Sequence, residues 1–127
     1  MKMTAKTTMS KQTSYPMVSF KWTTPDGKAI IFVTESDPIQ VSVTIGKSGT
    51  SLASLVYALT HFINETLQYK SLEDVIDILQ DITTSRVAYN TNGVQCRSTP
   101  EAIAFALIEY KKLKAQENVR SKLRQDS

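Results

Sequence analysis

The stretch IGKSGTSLASL, residues 45–55, decides the fold, because an alternating β pattern ends there and an amphipathic helix begins. Its two glycines, Gly46 and Gly49, permit positive φ angles or a close approach of the backbone to a partner. Thr50 or Ser51 can cap the helix by accepting a hydrogen bond from an amide of the first turn. The stretch therefore predicts a strand, a loop and a helix N-terminus in succession.

The same loop has the chemistry of an anion site. The free amides of the first helical turn, the positive end of the helix dipole and Lys47 together favour a negatively charged group. The loop is not a Walker A motif, G-x-x-x-x-G-K-[ST], because no glycine stands five residues before Gly46. Nucleotide hydrolysis is therefore not predicted. The alternative interpretation is a structural turn whose glycines serve packing and whose lysine is solvated.

Length and composition limit the remaining possibilities. The chain has 127 residues, which suffice for one hydrophobic core and not for two. Its apolar runs are shorter than the roughly twenty residues of a membrane span, so no membrane partner is expected. Cys96 and His61 are the single cysteine and the single histidine, so neither an intramolecular disulfide nor a zinc site is predicted. The formal net charge of +3 favours anionic partners only slightly.

The N-terminal part divides into an arm and a sheet. Residues 1–16 are polar and basic, without acids or the apolar core of a secretory signal, and predict a flexible arm. From Met17 onward apolar and polar residues alternate, interrupted by the turn sequences TPDG at 24–27 and ESDP at 35–38. These signals predict an antiparallel meander over residues 17–45 with one buried face.

Three helices are predicted after the meander, beginning near Ser51, Ser71 and Thr99, because each start combines a capping hydroxyl with an apolar stripe of helical period. The predicted fold class is α+β, an N-terminal antiparallel β meander packed on about three C-terminal α-helices. Residues 17–115 form its single domain, and residues 116–127 form a basic C-terminal tail. The stripe of the first helix is predicted to be core, and it contains Leu52, Leu55, Val56, Leu59, Phe62, Ile63 and Leu67.

The segment TTSRVAYNTNGVQCR, residues 83–97, differs in composition from the helices on either side. Its tyrosine, Tyr89, can stack on a purine, and Asn90 or Asn92 can hydrogen-bond ribose hydroxyls. Arg86 and Arg97 can each fork onto a phosphate. The alternative interpretation is a plain loop with an Asn-Gly turn, in which the arginines are solvated and Tyr89 belongs to the core.

We predict a ligand site where the loop from Gly46 to Ser51 meets the segment from Arg86 to Arg97, with one of the two contributed by a neighbouring chain. The predicted ligand-binding residues are Lys47, Ser48, Gly49, Thr50, Arg86, Tyr89, Asn90, Asn92 and Arg97. The sequence has no nucleophile beside a base and no metal-ligand cluster, so catalysis, a metal and other cofactors are not expected.

Two further expectations concern partners. A short chain with a meander and three apolar helical stripes has more apolar surface than it can cover alone, which predicts a homo-oligomer, either a dimer or a larger assembly. The basic residues near the C-terminus carry no interleaved aromatic side chains, so nucleic acid is not an expected partner.

Two runs of the sequence resemble a known domain. The run VSVTIGKSGTSLASLVYALTHFINETLQYKSLEDVIDILQDI at 41–82 and the run GVQCRSTPEAIAFALIEYKK at 93–112 resemble the TSCPD domain, found at the C-terminus of vitamin B12-dependent ribonucleotide reductases and as short free-standing proteins. The likeness covers about residues 39–112, and its most specific parts are the turn 46–49 and the helix start 100–104. The Ser-Cys-Pro-Asp of the motif reads STPE at 98–101, so its thiol is absent, and Cys96 alone does not replace a cysteine cluster.

Free-standing phage proteins similar to this domain include the first-described family of Thoeris anti-defence sponges, which this chain resembles in length, in its β-rich N-terminal part and in the helices that follow. The resemblance implies a non-enzymatic protein of the host bacterial cytoplasm that binds glycocyclic ADP-ribose signals made by TIR-domain enzymes, and in some members cyclic nucleotides, between subunits of a symmetric oligomer. Sequestering the signal starves the defence effector. The alternative is a TSCPD-type regulatory or structural accessory domain linked to ribonucleotide reductase.

Overall fold

The computed structural model describes residues 15–46 and 49–126. Residues 1–14 of the predicted arm, and Lys47 and Ser48 of the predicted anion loop, lie outside the described residues. At the end of the arm, the carbonyl oxygen of Pro16 accepts a hydrogen bond of 2.9 Å from the amide of Glu35. This bond joins the residue before the first strand to the residue after the second.

The predicted meander is confirmed. The sheet consists of three antiparallel strands in sequential order, which are β1 (Met17–Thr24), β2 (Gly27–Thr34) and β3 (Gln40–Ile45). Trp22, Ala29 and Ile45 stand in register across the three strands, so their side chains point to one face, and all three are buried. The alternation seen in the sequence therefore separates a core face from an open face.

The three predicted helices are also present. They are α1 (Ser51–Thr66), α2 (Leu72–Gln80) and α3 (Thr99–Asp126), with a short hairpin of β4 (Ala88–Tyr89) and β5 (Gln95–Cys96) between α2 and α3. The side-chain oxygens of Thr50, Ser71 and Ser98 each accept a hydrogen bond from the amide three residues further on, at 3.1, 3.1 and 3.0 Å. Each cap satisfies an amide that the first turn leaves unpaired, which is why the helices begin there. The α+β fold is thus confirmed.

The core lies between the buried face of the sheet and the first half of α3, and α2 packs on the same half of α3. Ile31 of β2 and Leu107 of α3 are each 0% exposed. Trp22 packs against Phe105 with ring centroids 4.8 Å apart. Beyond residue 115 the helix continues without a break to Asp126, so residues 116–126 of the predicted tail are helical, and the side chains of residues 115–125 are exposed.

Helix α1 covers the outer edge of β3. Asn64 accepts a hydrogen bond of 2.7 Å from the amide of Val41 and donates one of 3.0 Å to the carbonyl oxygen of the same residue. The side-chain amide thereby takes the place of a neighbouring strand at the sheet edge. This contact fixes α1 beside the sheet.

The position of α1 corrects the predicted core stripe. Val56, Ile63 and Leu67 are buried as predicted, but Leu55 and Phe62 are 70% and 68% exposed. The prediction was wrong for these two residues because a helix beside a sheet edge buries a narrower stripe than one that lies across a sheet face.

Candidate functional site

A cavity of about 380 Å³ opens where β3 leads into α1, beside the predicted anion loop. Its walls are the end of β3, the two loop glycines and the first turns of α1 as far as Tyr57. Pockets for small organic ligands have volumes of roughly 300 to 1,000 Å³. The cavity is thus large enough for a small ligand, and the strand-loop-helix stretch forms it.

The backbone of the loop explains its glycines. Gly46 and Gly49 have φ angles of +64° and +85°, in the left-handed region that residues with a Cβ atom rarely adopt. Of the predicted ligand-binding residues described in this loop, Gly49 lines the cavity, and Thr50 caps α1 by accepting the amide hydrogen of Ala53. The chain therefore turns from strand to helix beside the cavity, and Ala53 and Ser54 of the first turn of α1 line its wall.

A second cavity, of about 250 Å³, continues along β3 and shares Val43 and Tyr57 with the first. We call the two cavities together the β3 groove. The second cavity is lined by hydroxyl, amide and imidazole side chains, which include those of Gln40, Ser42 and His61. Tyr57 is 74% exposed although it lies between the two cavities. The β3 groove therefore combines an exposed aromatic ring with hydrogen-bonding side chains.

Another cavity of about 380 Å³ lies at the opposite edge of the sheet, between β1, β2 and the β4–β5 hairpin. We call it the hairpin cavity. Its lining includes Lys21, Lys28, Trp22 and Tyr89. The two lysines are exposed, and Tyr89 is 70% exposed, so it does not belong to the core. Two cations and an exposed ring therefore lie close together.

The two predicted ribose-binding asparagines hold the hairpin in place. Asn90 accepts a hydrogen bond of 2.7 Å from the amide of Thr23 and donates one of 3.1 Å to the carbonyl oxygen of Thr23. Asn92 accepts a hydrogen bond of 3.0 Å from the amide of Val94 within the turn. Both side chains thus have structural partners, although Asn90 also lines the hairpin cavity.

The two predicted phosphate-binding arginines face carboxylates. Arg86 donates to the carbonyl oxygen of Pro25 and lies 3.6 Å from Asp26. Arg97 donates to Glu101 at 2.9 Å through its guanidinium group and at 2.7 Å through its backbone amide. Glu101 is only 4% exposed, so Arg97 compensates a buried charge. A phosphate at either arginine would have to compete with these partners.

Cys96 is 0% exposed, and its thiol donates to the carbonyl oxygen of Ser98 at 3.2 Å. Burial raises the pKa of this thiol, which makes the reactive thiolate rarer. In the part of the chain that the structure describes, no three histidine, cysteine or acidic side chains form a group that could hold a metal ion. Cys96 therefore serves packing at the start of α3.

Within one chain, the loop from Gly46 to Ser51 and the segment from Arg86 to Arg97 lie at opposite edges of the sheet. The loop follows β3, whereas the hairpin lies beside β1. Two strand spacings, roughly 10 Å, separate these edges. The loop and the segment therefore do not meet within one chain, and a contribution from a neighbouring chain stays a prediction.

The sequence did not single out several cavity residues, which are Lys21, Lys28, Tyr57, Gln40, Ser42 and His61. A signal for the lysines was present, because Lys21 and Lys28 fall on the polar face of the predicted β1–β2 hairpin. Tyr57 lies off the apolar stripe of α1, and its position was visible in the helical period. The sequence does not show which polar faces border a cavity, because this depends on how the elements pack.

Comparisons with protein-family models, with curated proteins and with solved structures find no match for this chain. None of the helices in the described part of the chain combines the length and the apolar composition that a bilayer crossing requires.

Proposed function

We propose that the protein is a non-enzymatic ligand-binding protein that sequesters an immune signal of the cyclic ADP-ribose type, glycocyclic ADP-ribose, or a cyclic nucleotide. In this role it counteracts bacterial Thoeris anti-phage defence in the host cytoplasm, as a homo-oligomer. The observation that carries the proposal is the β3 groove, which has the glycine turn and the first turn of α1 at one end and the exposed Tyr57 lining both of its cavities.

The groove has a partner for each chemical part of such a ligand. The glycine turn that lines the groove and the positive end of the α1 dipole suit a phosphate group, with Lys47 as the neighbouring cation in the sequence. Tyr57 can stack on the purine. Gln40, Ser42 and His61 can hydrogen-bond the ribose hydroxyls. A hydrogen bond to the charged phosphate contributes about 1.5 to 3 kcal/mol.

The hairpin cavity supplies a complementary set of groups. Lys21 and Lys28 can neutralise a second phosphate, and Tyr89 can stack on the other face of the purine. In the proposed assembly a neighbouring chain brings this cavity to the β3 groove, so that both sheet edges contribute to one site. Arg86 and Arg97 keep their carboxylate partners in this arrangement.

Sequestration requires that the protein binds the ligand tightly and does not convert it. One experiment distinguishes a sequestering protein from an enzyme. The purified protein is titrated by calorimetry with glycocyclic ADP-ribose, linear ADP-ribose and cyclic nucleotides. It is then denatured by heat, and the released ligand is analysed by chromatography. Recovery of the intact ligand supports a sponge, whereas an altered ligand would mean an enzyme.

The second candidate is a TSCPD-type regulatory or structural accessory domain, linked to ribonucleotide reductase, that acts through a protein partner. The exposed apolar side chains on α1 and α2, such as Phe62 at 68% and Ile78 at 50%, favour it. This candidate predicts that none of the nucleotides binds. The same titration therefore separates the two proposals.

A further inference from the structure

An apolar groove runs between α1 and α2. We call it the helix groove. It has a volume of about 160 Å³ and is lined almost entirely by apolar side chains. Phe62, Ile78 and Ile82 in its lining are 68%, 50% and 46% exposed. Exposed apolar surface of this kind marks an interaction site.

The distal half of α3, residues 115–125, also carries exposed apolar side chains. Ala115, Val119 and Leu123 recur at every fourth position and so form one seam along the helix. Val119 and Leu123 are 58% and 63% exposed. A helical stretch of about twelve residues gains little stability in water without packing, so a surface that covers these side chains would stabilise this half of α3.

The charges of the two features are complementary. Helix α2 forms one wall of the helix groove, and its exposed residues include Asp74 and Asp77, with Asp81 directly after it. Along the distal half of α3, Arg120 and Lys122 flank the seam. An acidic helix beside an apolar groove matches a basic helix that carries apolar side chains on one side, and like charges would disfavour two grooves or two basic helices against each other.

We propose that the distal half of α3 from a second copy of this chain binds in the helix groove, with Val119 and Leu123 against Phe62, Ile78 and Ile82. The contact does not form within one chain, because α3 is unbroken and its distal side chains stay exposed. Two copies that exchange these helices reciprocally make a closed two-fold dimer. The inference rests on the homo-oligomer of the proposed function and does not depend on the ligand.

Sedimentation equilibrium at micromolar concentration tests the contact with three variants. Val119→Glu and Ile78→Glu place a carboxylate in the apolar contact and should each weaken the dimer at least tenfold, since an unpaired charge would be buried. Met17→Glu is the matched control, because Met17 and Val119 are both 58% exposed, and it should leave the dimer unchanged. Circular dichroism verifies that each variant is folded. If Ile78→Glu does not fold, Val119→Glu still decides, since its side chain lies on the exposed half of α3.

Disulfide trapping tests the same contact in the folded protein. Chains carrying Ile78→Cys are mixed with chains carrying Val119→Cys, and a cross-linked pair is expected under mild oxidation. The native thiol of Cys96 is buried and does not compete. Chains carrying Met17→Cys are the control, and they should not cross-link to Val119→Cys.

Two results would overturn the proposed contact. One of them leaves the homo-oligomer of the proposed function in place, and the other removes it as well. A wild-type dimer that persists in Val119→Glu, without the Ile78–Val119 cross-link, would remove this contact and leave the homo-oligomer in place. A monomeric wild type would remove both the contact and the homo-oligomer. Calorimetry on the same samples reports separately whether the ligand binds.

Discussion

The side-chain amide of Asn64 pairs with both backbone polar groups of Val41, at 2.7 and 3.0 Å, on the outer edge of β3. Asn90 forms the same pair of bonds with Thr23, at 2.7 and 3.1 Å, on the outer edge of β1. One asparagine thus stands in for a strand at each edge of the sheet. These contacts hold α1 and the β4–β5 hairpin beside the sheet. They thereby fix walls of the β3 groove and of the hairpin cavity.

Asn64→Ala should lower the free energy of unfolding by about 1 to 3 kcal/mol, because the backbone groups of Val41 lose their partner at a partly buried edge. Asn64→Asp should also destabilise the protein, because a carboxylate cannot donate to the carbonyl oxygen of Val41. Urea unfolding measures both variants. Gln68→Ala, an exposed amide just after α1, is the control and should stay close to wild type; an equal loss in the control would refute the role of Asn64.

Signals within a few residues of the chain were enough to predict the fold. The surroundings of the site residues depend on contacts between distant parts of the chain. The caps at Thr50, Ser71 and Ser98 act within three residues of chain, so the sequence could indicate where each helix begins. The exposure of Leu55 and Phe62 could not be predicted in this way, because it depends on where α1 lies relative to the sheet. Burial depends on how the elements pack together, so the helical period alone does not predict which side chains are buried.

The roles of the candidate site residues were harder to predict for the same reason. A sequence gives the chemistry of Asn90 and Arg86, but their partners Thr23 and Asp26 are 67 and 60 residues away along the chain. Either side chain could have bonded a ligand as well as the chain. Tyr89, by contrast, is exposed beside a cavity, and its predicted role in stacking stays a prediction.

The stability of the protein should depend on Glu35 in acid. Glu35 accepts hydrogen bonds from Lys114 at 2.9 Å and from Tyr110 at 3.1 Å. The bond from Lys114 does most to hold the pKa of Glu35 below its ordinary value of 4.5, and burial opposes it. Since the pKa is lower in the folded state, this contribution to stability is present above pH 4.5 and is lost as the pH falls through the folded-state pKa.

Glu35→Gln should therefore be less stable than wild type at neutral pH and should lose less stability between neutral pH and pH 3. Thermal unfolding across this range measures the difference. Glu65→Gln, an exposed glutamate on α1, is the control. Parallel pH profiles for wild type and Glu35→Gln would contradict the assignment.

Gly49→Ala should weaken ligand binding more than it weakens the fold. Gly49 has a φ of +85° with nothing within 4 Å of an added Cβ, so the cost is backbone strain of about 1 to 2 kcal/mol. Gly93 has nearly the same φ, +84°, and equally open surroundings in the β4–β5 turn. Gly93→Ala is thus a matched control that should lose similar stability and keep its affinity for glycocyclic ADP-ribose. Equal affinities in calorimetry would exclude the loop from the site.

Trp22, the single tryptophan, should report on the hairpin cavity. Its indole donates to Glu109 at 2.7 Å, and Trp22 is one of the residues that border the cavity, so a purine bound beside Tyr89 should change its fluorescence. Tyr89→Ala should remove this change and weaken binding by roughly tenfold or more, since stacking on a base contributes about 1 to 3 kcal/mol. An undiminished fluorescence response in Tyr89→Ala would place the ligand elsewhere.

The most direct measurement is calorimetric titration of glycocyclic ADP-ribose into wild type, Tyr57→Ala and Tyr69→Ala, followed by recovery of the ligand from the denatured protein. Tyr57 lines both cavities of the β3 groove, whereas Tyr69 is an 83% exposed tyrosine in the turn after α1. We expect wild type and Tyr69→Ala to bind equally, Tyr57→Ala to bind roughly tenfold or more weakly, and the recovered ligand to be intact. Absence of binding to the wild type, or a chemically altered ligand, would contradict the sequestration of this signal by the protein.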